Sequence, residues 1–302
     1  MRRLAITFAS LALVPFLACG GGQEEPAPAP PAEPLAWDAR VDSFDGVPIA
    51  YSVRGSGAGA LLFIHGWSCD RSYWEAQVAD LSRDYRVVTV DLAGHGDSGA
   101  GRTDWTVEAF GRDVEAVVAE LDLPSVILVG HSMGGPVALE AARRLRGRVV
   151  GVVGVDALQD VELRYFDEAW DELLGRFERD FATTCGEFVR GMFLPSADPE
   201  LRREVAEDMC AAPPAVATAA LAGLRTYDAA ASLAAAKVPL RCINGATFAT
   251  NFETNRRHAP DFDAYTMDGT GHFPMLEKPD DFNRLLRQTI EELTASRGTE
   301  AR

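Results

Sequence analysis

The sequence has little positive charge. It contains 29 Lys and Arg residues against 45 Asp and Glu residues, which gives a formal net charge of −16. No long basic cluster offsets this balance, so a nucleic acid is not expected as a partner. The sequence also lacks a cluster with metal-ligand spacing and a dinucleotide-binding fingerprint, so it predicts no metal and no cofactor.

The apolar run at the start of the chain is too short to span a bilayer. Leu4–Leu17 follows two arginines and ends just before Cys19, a pattern typical of an export signal. Cys19 resembles the lipidated cysteine of bacterial lipoproteins, although Phe16 stands where leucine is most usual. Residues 1–18 are therefore predicted to be a lipoprotein signal peptide. The protein would be exported and lipid-anchored through Cys19 to a bacterial membrane surface on the cell-envelope side; plain secretion or a retained anchor are the alternatives.

Cysteine is scarce, with five in the chain. Cys185 and Cys210 fall in one region, where an oxidising compartment would favour a bridge, and buried free thiols are the alternative. Residues 19–36 are rich in Pro, Ala and Gly. Such a segment cannot bury a core, so it is predicted to be an extended tether before a folded body that starts near Trp37.

The folded body alternates strand patterns with helix patterns, which predicts a mostly parallel sheet with helices on both faces. The core is predicted over residues 37–156 and 237–298. The predicted strands are Val41–Phe44 and Val47–Val53, joined as a hairpin at Asp45-Gly46, then Ala60–Ile64, Arg86–Val90, Val126–Val129, Val149–Val155, Val238–Ile243 and Asp263–Met267.

The alternation stops between residues 157 and 236. This stretch is too long for a loop, so we interpret it as an inserted helical cap over the carboxyl edge of the sheet. Its apolar stripe, which begins with Phe166, Trp170 and Leu173, is expected to pack mainly against the core, with a minority of its aromatic residues lining a substrate pocket.

Ser132 lies at the centre of the strongest motif. An apolar strand, Val126–Val129, precedes Gly130-His131-Ser132-Met133-Gly134, and apolar residues at helical spacing follow it. A strained strand-to-helix turn of this kind exposes a serine Oγ. The flanking glycines are needed because a Cβ at either position would collide with the neighbouring strand or helix.

The chain resembles the α/β-hydrolase fold superfamily in four motifs that occur in the expected order. They are His65-Gly66-Trp67, Asp91-Leu92-Ala93-Gly94-His95-Gly96-Asp97-Ser98, Gly130-His131-Ser132-Met133-Gly134-Gly135, and Gly269-Thr270-Gly271-His272-Phe273-Pro274. The resemblance implies an α/β-hydrolase fold with Ser132 as nucleophile and His272 as base. It also implies an oxyanion hole made by the backbone N–H groups of Trp67 and Met133, and structural roles for His65, His95 and His131.

The acid of the triad departs from the usual pattern. The family most often carries it just after the strand Val238–Ile243, but residues 244–251 contain no carboxylate. Some members carry it at the end of the preceding strand, and that position is Asp156. Asp156 is therefore the predicted acid; Asp160, Asn251 or a missing acid are the alternatives.

These residues predict a serine hydrolase that cleaves an ester, lactone or related acyl bond of a small molecule through an acyl-enzyme. A carbon–carbon bond hydrolase or a cofactor-free haloperoxidase-like enzyme is the catalytic alternative, because the chain resembles such enzymes in the same triad. A membrane-tethered binding protein on the same scaffold is the non-catalytic alternative. No oligomeric state is indicated.

Overall fold

The computed structural model describes residues 36–163 and 168–300, with side chains as far as Ala295. The predicted signal peptide, Cys19, nearly all of the predicted tether and Phe166 lie outside these residues. None of the helices in the described ranges combines the length and the apolar character that crossing a membrane requires.

Eight strands of the described chain form a single sheet in the order β1-β2-β4-β3-β5-β6-β7-β8. The strands β3 to β8 are parallel to one another, whereas β2 pairs antiparallel with both β1 and β4. The predicted mostly parallel α/β sheet is thus confirmed. The strands are β1 (Ala36–Asp42), β2 (Pro48–Arg54), β3 (Ala60–Ile64), β4 (Arg86–Val90), β5 (Val126–His131), β6 (Val149–Val155), β7 (Leu240–Gly245) and β8 (Asp263–Met267).

The central strands consist almost entirely of apolar residues because helices cover both faces of the sheet. Every residue of β3, β5, β6 and β7 is buried. The carboxyl ends of these parallel strands lie at one edge, so the loops that follow them meet there, and such an edge is where open α/β sheets bind ligands.

Helices connect most of these strands in the described chain. They are α1 (Glu75–Leu81), α2 (Val107–Glu120), α3 (Gly134–Arg144), α4 (Glu168–Arg179), α5 (Phe181–Gly191), α6 (Pro199–Met209), α7 (Pro214–Gly223), α8 (Ala229–Ala236), α9 (Phe252–His258), α10 (Pro274–Glu277) and α11 (Pro279–Glu300). A 3₁₀ turn, Arg71–Trp74, precedes α1.

Five helices of the described residues, α4 to α8, lie between β6 and β7. Helix α4 packs against α5 and α7, and α5 packs against α6. A disulfide between Cys185 in α5 and Cys210, the residue that caps α6, joins that pair of helices covalently. Helix α8 instead packs against α3 and α9 of the sheet layer.

The first hairpin differs from its prediction. Its strands pair from Ala36↔Arg54 to Asp42↔Pro48, so the turn covers residues 43–47 and the first strand begins and ends earlier than Val41–Phe44. Along β1, half-buried and exposed residues alternate, as expected for an edge strand with one face on the core. The Asp45-Gly46 turn itself is present, with Gly46 at φ +79°.

Candidate active site

Ser132 occupies the turn between β5 and α3. Its φ of 52° lies in the left-handed region that favours glycine, and strain of this kind in a non-glycine residue is typical of functional sites. A Cβ added at Gly130 would lie 2.1 Å from the carbonyl oxygen of Gly134, and one at Gly134 would lie 2.4 Å from that of Ile64. Both glycines are therefore required for the tight approach of β5, α3 and β3 that holds the serine in place.

His272 is held over the sheet edge by the loop after β8. Its backbone N–H donates to the carbonyl oxygen of Met192, 2.9 Å away, at the end of α5. The Glu277 carboxylate accepts from the N–H groups of Gly271 and Phe273 on either side of His272. Sequence reasoning missed Glu277, which belongs to none of the motifs.

Asp156 follows β6 directly and hydrogen-bonds to the His272 ring. The distance from His272 Nδ1 to Asp156 Oδ2 is 2.5 Å. The other carboxylate oxygen, Oδ1, accepts from the Gly245 N–H at 2.9 Å and from Gln159 Nε2 at 3.1 Å. The side chain of Asp156 is buried. Gln159 is a second residue that sequence reasoning missed, because it carries no motif.

Burial by itself would raise the pKa of the Asp156 carboxyl. The interaction with the His272 ring, which strengthens when that ring is protonated, and the Gly245 N–H together outweigh burial and hold this pKa below its usual value. An ionised carboxylate can only accept a hydrogen bond. Nδ1 of His272 therefore carries a proton, which leaves Nε2 as the ring nitrogen able to receive one.

The other two candidates for the acid bond to each other. Asn251 Nδ2 donates to Asp160 Oδ2 at 2.8 Å, and the Asn251 side-chain oxygen accepts from the Thr254 N–H as the N-cap of α9. Among the described residues, Asp156 is the carboxylate that hydrogen-bonds to the His272 ring.

The loop after β3 closely approaches Ser132. A Cβ added at Gly66 would lie 3.2 Å from Ser132 Cβ and 2.7 Å from His131 Nδ1. The residue after this glycine is Trp67, and the residue after Ser132 is Met133. Within the described part of the chain, neither of their N–H groups appears among the backbone hydrogen bonds of turns and loops. Both are therefore available to an oxyanion bound at Ser132.

The three histidines of the other motifs are buried and neutral. Burial lowers the pKa of His65 to about 4 and the pKa of His95 and of His131 to about 3. His131 Nε2 lies 2.8 Å from the carbonyl oxygen of His272, and because a carbonyl can only accept, Nε2 carries the proton. His131 thus holds the backbone of His272 in position.

The family follows from a match along most of the chain. A model of the Alpha/beta hydrolase family matches residues 61–285, which include Ser132, Asp156 and His272. The chain belongs to this family.

Individual relatives of this α/β hydrolase differ in activity. A non-heme haloperoxidase of Rhodococcus erythropolis is 39% identical over 120 residues, which cover 39% of this chain and 43% of the relative. A thermophilic esterase of Thermogutta terrifontis superposes with a TM-score of 0.74 at 25% identity over 85% of this chain and 99% of its own. A bromoperoxidase of Bacillus anthracis superposes with a TM-score of 0.73 at 23% identity over 84% and 100%. The chain spans 27% to 43% of the length of the curated relatives that it first matches.

Ser132 and His272 of this α/β hydrolase line two neighbouring cavities. No hydrogen bond joins the Ser132 hydroxyl to the His272 ring among the described residues. Catalytic hydrogen bonds of hydrolases often tighten only when substrate is bound.

The first cavity, here called the aromatic cavity, has a volume of about 470 Å³. Besides the shared residues it is lined mainly by large apolar side chains, namely Trp67, Trp170, Leu173, Phe188, Met192 and Leu221. The indole of Trp67 donates to the carbonyl oxygen of Ala217 in α7 at 2.7 Å and contacts Phe177 and Phe188 edge-on. Trp67 therefore packs against the inserted helices and lines the site at the same time.

The second cavity, here called the mixed cavity, has a volume of about 450 Å³. It combines apolar walls with polar side chains, including Met133, Pro136, Leu158, Gln159, Asp160 and Arg225. In the described residues, no group of three or more His, Cys, Asp or Glu side chains could hold a metal ion. Cys69 is buried, and burial raises its pKa well above the usual value, so its thiol is not an activated nucleophile.

Proposed function

We propose that this chain is a serine hydrolase that cleaves a carboxylic ester, lactone or related acyl bond of a small molecule. The observation that carries the proposal is the 2.5 Å hydrogen bond between His272 and Asp156. It sits at the edge of two cavities that the strained Ser132 also lines. A serine hydroxyl needs a base oriented by a third group to attack at neutral pH, and these three residues can supply that arrangement.

In the proposed reaction Ser132 Oγ attacks the carbonyl carbon while His272 Nε2 takes its proton. Asp156 keeps the ring in the required tautomer and stabilises the imidazolium. The N–H groups of Trp67 and Met133 donate to the oxyanion of the tetrahedral intermediate, and one such donor contributes roughly 10²- to 10³-fold to turnover. His272 then protonates the leaving group, and a water activated by the same ring hydrolyses the acyl-enzyme.

Haloperoxidase-like chemistry is the second candidate. It is favoured by the likeness to a non-heme haloperoxidase and to a bromoperoxidase. Halide oxidation in the presence of hydrogen peroxide and a carboxylic acid, measured beside ester hydrolysis at equal enzyme concentration, would separate the two activities.

A fluorophosphonate probe tests the proposed nucleophile. The wild type is expected to be labelled and to hydrolyse p-nitrophenyl acetate, whereas a folded Ser132→Ala variant should do neither. A wild-type protein that is folded, unlabelled and inactive towards a panel of esters and lactones would refute the proposal and favour the binding-protein alternative.

We also propose that the protein is exported and lipid-anchored through Cys19. The charged start, the apolar run and the cysteine at residue 19 support this location. The Cys185–Cys210 disulfide supports it independently, because such bonds persist mainly in oxidising compartments. Cys19→Ser should move the protein from the membrane fraction to the soluble fraction of a bacterial expression host. An unchanged distribution would contradict the anchor.

A further inference from the structure

The aromatic and mixed cavities meet at four shared residues. Two of them are Ser132 and His272, and the other two are Leu224 and Phe248. An ester has two limbs on opposite sides of its carbonyl. The two limbs are the acyl part and the alcohol part of the ester. A serine that lies between two cavities of similar volume, here also called chambers, can therefore direct one part into each of them.

Phe248 belongs to the loop after β7. Most members of the family carry the acid of the triad in this loop. Because Asp156 supplies the carboxylate from the end of β6, this loop carries no part of the triad. It instead presents a large apolar side chain that is 65% exposed yet lines both cavities. Leu224, which begins the 3₁₀ turn Leu224–Thr226 after α7, also lines both.

The charged side chains around the two chambers are already paired. Arg176 and Glu187 of the aromatic cavity form an ion pair, as does Arg225 of the mixed cavity with Asp171. The Asp160 carboxylate accepts a hydrogen bond from Asn251. A charged limb would have to displace these partners or remain unpaired, so uncharged limbs are favoured.

We propose that Phe248 and Leu224 form a partition that divides the active site into two subsites. The preferred substrates are uncharged esters with a ring-sized limb on each side of the carbonyl, one in the aromatic cavity and one in the mixed cavity. This inference rests on the proposed serine hydrolase function and specifies the substrate class and the residues that select it.

Four esters form a cycle that tests for two subsites in the wild type. They are methyl acetate, methyl phenylacetate, benzyl acetate and benzyl phenylacetate, compared by kcat/KM. If each ring has its own chamber, the gain from two rings equals the product of the single gains within about twofold, as for independent sites. If benzyl phenylacetate is no better than the better single-ring ester, both limbs compete for one chamber and the inference is overturned.

Phe248→Ala tests the partition. Removal of the Phe248 ring should join the two chambers, so that the enlarged cavity admits an acyl group with two rings on one carbon. The kcat/KM for p-nitrophenyl diphenylacetate relative to p-nitrophenyl acetate should then rise about tenfold. Leu224→Ala should raise the same ratio.

Phe252→Ala is the matched control. Phe252 is also a partly exposed phenylalanine, 36% exposed, but it contacts Phe262 and lines neither cavity. The ratio should stay within about twofold of the wild type, as for substitutions away from the site. Equal responses of the Phe248 and Phe252 variants would overturn the partition.

The two proposals fail in different ways. If the folded wild type shows neither fluorophosphonate labelling nor any ester hydrolysis, both the proposed hydrolase function and the proposed partition are contradicted. Normal labelling and turnover with unchanged substrate ratios removes the partition alone. Phe248→Leu, which keeps an apolar side chain but removes the ring, provides a second variant if the alanine protein does not fold.

Discussion

At the scale of single residues, Asp156, the acid of the candidate triad, is held in place by several contacts. Asp156 itself has φ 39° in the left-handed region, and aspartate tolerates that conformation better than most residues. Its two carboxylate oxygens have different partners. Oδ2 hydrogen-bonds to the His272 ring, and Oδ1 accepts hydrogen bonds from the Gly245 N–H and the Gln159 side chain. The carboxylate is therefore fixed before substrate arrives.

Asp156→Asn should lower kcat for p-nitrophenyl acetate by about 10³- to 10⁴-fold, because the amide no longer fixes the tautomer or stabilises the imidazolium. Asp160→Asn is the control, since that carboxylate bonds to Asn251. It should retain most of the wild-type kcat. A comparable loss in both variants would contradict the role given to Asp156.

The lowered pKa of Asp156 predicts how stability depends on pH. Burial opposes ionisation, but the contacts with His272 and Gly245 prevail and lower the pKa in the folded state. Below the ordinary aspartate pKa of about 3.9 the unfolded chain binds more protons than the folded one. This contribution to the free energy of unfolding therefore decreases as the pH is lowered. It is fully present above that pH and is lost as the pH drops through the folded-state pKa.

Urea unfolding between pH 3 and 7 measures this effect. The difference in free energy of unfolding between wild type and Asp156→Asn should stay constant from neutral pH down to about pH 4 and should shrink as the pH falls further. A difference that is independent of pH would show that the contacts of Asp156 do not favour its ionised form.

At the scale of elements, the loops after β3 and β5 have to approach each other closely to make an oxyanion hole. Gly66→Ala would place a methyl group 2.7 Å from His131 Nδ1 and 3.2 Å from Ser132 Cβ. We expect the loop to shift and the Trp67 N–H to move away, which should lower kcat by about 10²-fold.

Gly101→Ala is the matched control, since nothing lies within 4 Å of a Cβ added there. Its kcat and its melting temperature should both match the wild type. If Gly66→Ala keeps full kcat, the N–H of Trp67 does not stabilise the transition state.

The sequence predicted the bounds of four of the eight strands in the described sheet. The predicted and observed bounds agree for β3, β4, β6 and β8, whereas β5 and β7 each end two residues later than predicted, because the small and polar residues after their apolar runs still pair in the sheet. The hairpin was placed less well, since β1 has only one face on the core and its signal is an alternation of Trp37, Ala39 and Val41 with charged residues and not an apolar run.

At the scale of the whole molecule, a disulfide joins two of the inserted helices, α5 and α6. Cys185 and Cys210 are separated by 25 residues, and closing a loop of that length stabilises a protein by about 3 kcal/mol in the chain-entropy account. The double variant Cys185→Ala/Cys210→Ala should lose stability of that order in denaturant unfolding.

Reduction is the control for this prediction. Dithiothreitol should lower the stability of the wild type towards that of the double variant and should leave the variant unchanged. Cys69 and Cys242 are buried and free, so they offer no other disulfide among the described residues. A wild type that does not respond to reduction would contradict the stabilising role of the bridge.

The family resemblance singled out His272. The sequence by itself determined the fold class and located Ser132, because the constraints there are local. A buried strand, a glycine-flanked serine and a helix must follow one another within a few residues, and such patterns can be read along the chain. The resemblance singled out Asp156 among three alternatives, and the structure is what brings its carboxylate to the His272 ring.

Only the tertiary structure decided which distant groups surround that site. Gly245 donates to Asp156 across 89 positions of sequence because β6 and β7 are neighbours in the sheet. The pairing of Cys185 with Cys210 and the two cavities that Phe248 lines depend likewise on which segments pack together. Contacts of this kind leave no local pattern, because any residue of suitable size or polarity can make them once the fold has placed it there.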